Sequence, residues 1–205
     1  YRRDPLDKII AIIIGNLILN NYILFRFMGL CPFLGVSKET KPALSMGIAV
    51  IFVLMLSGLM TWLIYTYVLL PFHIEYMRTV VFILIIAASV QFIEMVILKS
   101  SPVLYKALGI YLPLITTNCV VLGVAVLNTD DFFSLGRPIA GSFGYSMLQA
   151  FFAGVGFLFV LLLMSGIRER LELSDVPEAL DGLPIAFIVA SIMSLAFMGF
   201  VGLRI

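Results

Sequence analysis

Long apolar blocks alternate with short polar knots along this chain. The first block runs from about Ile9 to Val36 and is interrupted by Asn16, Asn20, Asn21 and Arg26. A knot of Ser37, Lys38, Glu39, Thr40 and Lys41, followed by Pro42, ends it. Ala43 to Leu70 forms a clean second block closed by Pro71, and Thr79 to Leu98 a third that carries Gln91 and Glu94. The fourth, Leu108 to Leu127, contains Pro113, Thr116, Thr117 and Asn118. A fifth runs from Ile139 to about Gly166, and a sixth from Leu183 to Leu203. Between these last two lies Arg168–Gly182, the longest polar stretch. A run of roughly 18 apolar residues suffices to cross the hydrocarbon core as a helix. The ~10-residue alternating segments of a membrane barrel are missing. The pattern therefore predicts an all-α membrane protein with about six transmembrane helices.

Composition sharpens that reading. Of 205 residues, 62% are hydrophobic and 12% charged, and the mean hydropathy is +1.14. Soluble domains carry about 25% charged residues, so this chain cannot wet the surface of a soluble fold. The net charge of +1 gives no reason to expect a nucleic-acid partner. The first apolar block lacks a small-residue cleavage site, so no secretory signal is expected. So little polar sequence leaves no room for a soluble catalytic domain, and a single transmembrane domain over residues 1–205 is expected.

Lysines and arginines in short connections set orientation. Lys38, Lys41, Lys99, Lys106, Arg168 and Arg170 follow the odd-numbered blocks, whereas Arg78 and Arg137 follow even ones. That bias places the first set in the cytoplasm and both termini outside, against the vote of Arg2, Arg3 and Lys8 in the N-terminal tail.

The two cysteines sit in similar phrases: Cys31-Pro-Phe-Leu-Gly35-Val36 and Cys119-Val-Val-Leu-Gly123-Val124. Leu56-Ser57-Gly58-Leu59 likewise echoes Met164-Ser165-Gly166-Ile167. These echoes divide the chain into repeats of about 9–98 and 108–203. Three spans per repeat is an odd number, so the second repeat enters the membrane from the opposite side, an inverted-topology pair with broken helices one and four. Backbone freed from helical bonding must be buried in protein or line a site. The breaks near Pro32 and Pro113 therefore bring two buried thiols toward the bilayer midplane.

Buried cysteine is often an inert small hydrophobe, and a disulfide between the two would add little to a tight bundle. Thiolates are also soft ligands for iron–sulfur clusters. A cluster needs four ligands and this chain has two cysteines, so a related partner would bring the others.

The run from Phe27 to Lys38, the run from Leu112 to Gly123, and the phrases Gly166-Ile-Arg-Glu-Arg170, Asp175-Val-Pro177 and Met193-Ser-Leu-Ala-Phe-Met-Gly199 resemble the A-subunit family of Rnf complexes. The likeness covers about Ile10 to Leu203. The E subunit of the sodium-pumping NADH:quinone reductase is a close paralogue, but the Cys-Pro-Phe-Leu-Gly and Thr-Thr-Asn-Cys wording favours Rnf. The resemblance implies a membrane component of an ion-translocating ferredoxin:NAD⁺ oxidoreductase in the bacterial or archaeal cytoplasmic membrane, not catalytic alone. It also implies a [2Fe–2S] cluster shared with a homologous E subunit, ligated here by Cys31 and Cys119. Its further partners would be the D, G, B and C subunits, which would hold the flavin, NAD and ferredoxin sites. Electron passage would be coupled to Na⁺ or H⁺ transport.

A cluster with four thiolates is anionic and needs donors and a counter-ion in low dielectric. Arg26, five residues before Cys31, is the candidate counter-ion, or else it snorkels to the interface. Backbone N–H groups near Gly29 and Asn118 are candidate donors. Glu94, with Gln91 on the same helical face, is a candidate for an ion path; Asn20, Asn21, Thr116 and Thr117 are candidate cavity-lining groups. His73 reads as a surface loop residue, and the ten methionines and seventeen phenylalanines as packing or lipid-facing. The rival class is a small secondary transporter, in which Asn20, Glu94, Thr116 and Asn118 bind substrate and the cysteines are incidental.

Overall fold

A computed structural model describes residues 5–19, 21–72, 74–100, 114–115, 118–133, 139–174, 177, 180 and 182–199. Every regular element among them is helical, as an apolar chain demands where no water can satisfy an open sheet edge. The helices are α1 (Pro5–Ile14), α2 (Leu30–Val36), α3 (Thr40–Ile64), α4 (Leu70–Phe72), α5 (Arg78–Ser100), α6 (Cys119–Phe133), α7 (Ile139–Glu172) and α8 (Leu183–Met198). Thr40–Phe72 and Phe143–Glu172 are long and apolar enough to cross a membrane. Arg78–Phe92, Cys119–Asp130 and Leu183–Met198 are shorter apolar helices.

Two helices widen into π turns, and each has a local cause. The π turn Tyr65–Leu69 joins α3 to α4, and there Leu70 N–H donates to Tyr65 O. Pro71 follows directly, with no N–H to give and a ring that crowds the preceding turn; the widened turn makes room for it. The second π turn, Gly15–Leu19, continues α1. Asn16 Nδ2 donates to Ile12 O at 2.9 Å and Asn21 Nδ2 to Leu17 O at 3.3 Å. Each amide bonds back to the carbonyl four residues before it, and such side-chain bonds compete with the regular backbone ladder.

The described chain forms two compact units. The first comprises 1–50 and 152–205, the second 51–151, so α3 and α7 each contribute to both. In the first unit, Phe33, Met46, Phe157, Leu161 and Met164 are fully buried. Close approach there depends on glycine: a Cβ on Gly156 would lie 2.8 Å from Asn16 O, and one on Gly47 would lie 2.2 Å from Leu158 Cδ1. Small residues that let helix backbones approach are the usual means of packing in a bilayer. In the second unit, Phe82, Leu54, Val120 and Val121 are buried. The rings of Trp62 and Phe143 meet edge to face at 4.9 Å, and Arg78 pairs with Asp130.

Several expected boundaries move, among them the end of the fourth block, expected at Leu127, whereas α6 continues to Phe133. The pattern ends the fifth apolar block near Gly166, whereas α7 continues to Glu172. Arg168, Glu169, Arg170, Leu171 and Glu172 are good helix formers with no breaker among them, so the polar stretch begins as helix. The break in the first block falls over residues 21–29, between the π turn and α2.

Candidate functional site

Each cysteine opens a helix within its own unit. In the first unit the chain leaves helical geometry at Asn21, which is 2% exposed. Its Nδ2 also donates to Gly156 O at 3.0 Å, and its Oδ1 accepts from Ile23 N–H at 3.0 Å. The turn then folds on itself, with Phe25 N–H donating to Asn21 O at 2.9 Å and Met28 N–H to Tyr22 O at 3.0 Å. Ser194 Oγ on α8 donates to Leu24 O at 2.7 Å. The unwound carbonyls are thus met by hydrogen-bond donors, which buried backbone requires.

Two left-handed residues complete the turn: Phe27 with φ 54 and Gly29 with φ 82. Glycine takes that conformation freely, whereas phenylalanine is strained in it by about 1–2 kcal/mol. Gly29 leads directly into α2, whose second residue is Cys31. Pro32 is buried behind it and Cys31 itself is exposed.

The far end of this short helix is tied to α7. Arg168, 6% exposed, donates through Nη1 to Leu34 O at 2.9 Å and to Ser37 Oγ at 3.0 Å. Its neighbour Glu169 accepts from Thr40 N–H at 2.8 Å and from the Thr40 hydroxyl. Two consecutive residues therefore hold the corner between α2 and α3.

In the second unit Cys119 is the first residue of α6 and is exposed. Asn118 before it is 3% exposed, and its Oδ1 accepts from Val120 N–H at 3.2 Å. The same amide-to-(i+2) bond appears at Asn21. Asn118 Nδ2 is buried without a partner among the described residues. A donor left open in this way costs about 1–3 kcal/mol, so an acceptor brought to it would be held.

The sequence predicts buried thiols; on this chain both are exposed and neither is in a disulfide. Arg26 lies on the unwound turn, exposed, with no ion pair among the described residues. Glu94 on α5 is half-buried and Gln91 exposed. Thr116, Thr117, Asn20, His73 and Pro113 lie outside the described residues. Among the described residues no three His, Cys, Asp or Glu side chains converge to hold a metal. Arg168 at α2 has no counterpart among the expected site residues, since in sequence it is one charge of a polar loop. The signal that could have found it is the unbroken helical run after Gly166.

Residues 9–204 match the family described as Rnf-Nqr subunit, membrane protein. The chain belongs to the Rnf-Nqr family. It is 52% identical over 194 residues to the A subunit of an ion-translocating oxidoreductase complex from Azoarcus sp. (strain BH72), covering 95% of this chain and 96% of that one. It is 50% identical over 198 residues to the protein of that name from Vibrio vulnificus (strain YJ016), covering 97% and 99% respectively. A third relative of the same name, from Shigella boydii serotype 4 (strain Sb227), is 52% identical over 194 residues, covering 95% and 96%. Membership in a membrane-protein family accounts for the exposed apolar surface, including Val80, Leu84 and Phe92 on α5 and Leu195 on α8.

Proposed function

We propose that this chain is the A subunit of an ion-translocating oxidoreductase complex, in which Cys31 and Cys119 supply two of four ligands to an intramembrane [2Fe–2S] cluster. A homologous subunit would bring the other two. One observation carries this reading. Each thiol is exposed in the opening turn of a helix, directly after backbone that buried asparagine side chains hold out of regular helix. Packing cysteines need no exposure, whereas ligands to a shared cluster must face outward from this chain. The donor set is also right: thiolates are the ligands of [2Fe–2S] centres, and Asn118 Nδ2, without a partner among the described residues, is an N–H donor next in sequence to Cys119.

When bound, such a cluster supplies one-electron transfer. The chain's own residues would do the rest. The Asn21 and Ser194 bonds fix the turn before Cys31, and Arg168 fixes the corner after it. Arg26, Glu94 and Thr117 are carried into this proposal as counter-ion and ion-path candidates.

The inverted repeat is part of the same reading. Ser57 and Ser165, from the echoed phrases, are both buried. Both hydroxyls bond back three residues, to Leu54 O at 3.2 Å and Leu162 O at 3.0 Å. Each unit also takes one cysteine-bearing segment, a part of α3 and a part of α7, which supports six spans in two inverted halves. The cytoplasmic membrane, the E, D, G, B and C partners, external termini, and ferredoxin:NAD⁺ electron transfer coupled to Na⁺ or H⁺ complete the proposal.

Low-temperature EPR of the reduced complex tests it. Cys31→Ser and Cys119→Ser are each expected to remove or reshape the same [2Fe–2S] signal with all subunits retained. An unaltered signal in both variants would refute ligation by this chain.

A further inference from the structure

Arg168 is a buried cation, 6% exposed, with no opposite charge paired to it among the described residues. Its two hydrogen bonds, to Leu34 O and Ser37 Oγ, both leave from Nη1 and both go to neutral acceptors. A guanidinium has five N–H donors, so those on Nε and Nη2 have no partner among the described residues. Burying a charge is costly unless an opposite charge and further hydrogen bonds offset it.

Arg168 lines a cavity of about 370 Å³ together with Lys38, Glu172, Ser174 and Gly182. All these residues belong to the first unit. Gly182 is the N-cap of α8 and has no side chain to cap it, while Ile185 N–H is taken by Leu180 O at 3.1 Å. The helix end adds positive potential to the same wall. Among the described lining residues Lys38 and Arg168 are cationic and Glu172 is anionic, and the two cations suit an anionic group. A phosphate group matches these features: its planar pairs of oxygens accept from a guanidinium fork, and lysine adds a point charge.

We propose that this cavity binds a phosphate group, presented by an anionic phospholipid headgroup or as the free ion. The corner belongs to the side that the lysine and arginine bias assigns to the cytoplasm, where basic pockets recognise anionic headgroups. The proposal is independent of the cluster.

The test uses the purified, detergent-exchanged complex with spin-labelled phosphatidylglycerol, comparing wild type, Arg168→Gln and Lys38→Gln. Arg168→Gln also removes the bond to Leu34 O; Lys38 is exposed and its replacement leaves the fold intact. Loss of one motionally restricted lipid per complex in Arg168→Gln, with affinity about fivefold weaker in Lys38→Gln, would establish the lipid site. Equal lipid binding in all three proteins, with inorganic phosphate binding calorimetrically to wild type and about fivefold more weakly to Lys38→Gln, would establish the free ion instead. No difference between wild type and either variant in both assays would overturn the proposal.

Discussion

Asn21 Nδ2 donates to the carbonyl of Gly156, 135 residues along the chain, at 3.0 Å. That bond fastens the start of the unwound turn to the middle of α7, at the point where only a glycine lets the backbones approach. Asn21→Leu would leave Ile23 N–H without its partner, at a cost of about 1–3 kcal/mol, and would remove the cross-link to Gly156 O, which keeps its place in the α7 ladder. The thermal midpoint of the complex, or the yield of assembled protein, should fall accordingly. Unchanged stability would show that the turn is held by other contacts.

Gly156→Ala tests the same approach from the other side. Its Cβ would stand 2.8 Å from a backbone oxygen that cannot swing away, so a loss of about 1–3 kcal/mol is expected. Gly166→Ala is the control, because a Cβ there meets nothing within 4 Å and alanine is the better helix former. The first should lower the apparent melting temperature and the second leave it equal or higher.

Gly29→Ala is expected to destabilise the entry to α2 by about 1–2 kcal/mol, because φ is 82 there. If the turn aims Cys31, the variant should also broaden the reduced EPR signal. Phe27→Gly, at φ 54, should relieve strain and keep the signal sharp.

Asn118→Asp separates the cap from the donor. The carboxylate still accepts from Val120 N–H, but the Nδ2 donor is gone and a negative charge stands beside Cys119. Both changes disfavour the reduced, more negative cluster, so its midpoint potential should fall by on the order of 100 mV, the equivalent of a charge-assisted hydrogen bond of about 1.5–3 kcal/mol. Redox titration followed by EPR reads this directly. An unmoved potential would remove Asn118 from the site.

Much of this arrangement is legible in the sequence, because a bilayer leaves few alternatives. The apolar runs mark the helices, and Asn16 and Asn21 mark the first block as broken. Where the backbone unwinds is not legible, since Asn21 and Leu24 are held by Gly156 and Ser194, which are distant in sequence. Arg168 is hidden for a related reason. In a sequence it is one more positive charge near a membrane boundary. Only its position on an extended α7, opposite the Leu34 carbonyl, turns it into a buried clamp. The pattern points the thiols inward because broken helices in inverted repeats bring their backbone toward the bilayer midplane. Their exposure is a property of the single chain's surface, which the apolar residues around them hide.

Iron and acid-labile sulfide in the purified complex, compared between wild type, Cys31→Ser and Cys119→Ser, test the central claim most directly. Each variant should lose about two irons and two sulfides per complex while every subunit remains assembled. Wild-type iron and sulfide in both variants would contradict the shared cluster, leaving Cys31 and Cys119 as surface thiols with no cluster to hold.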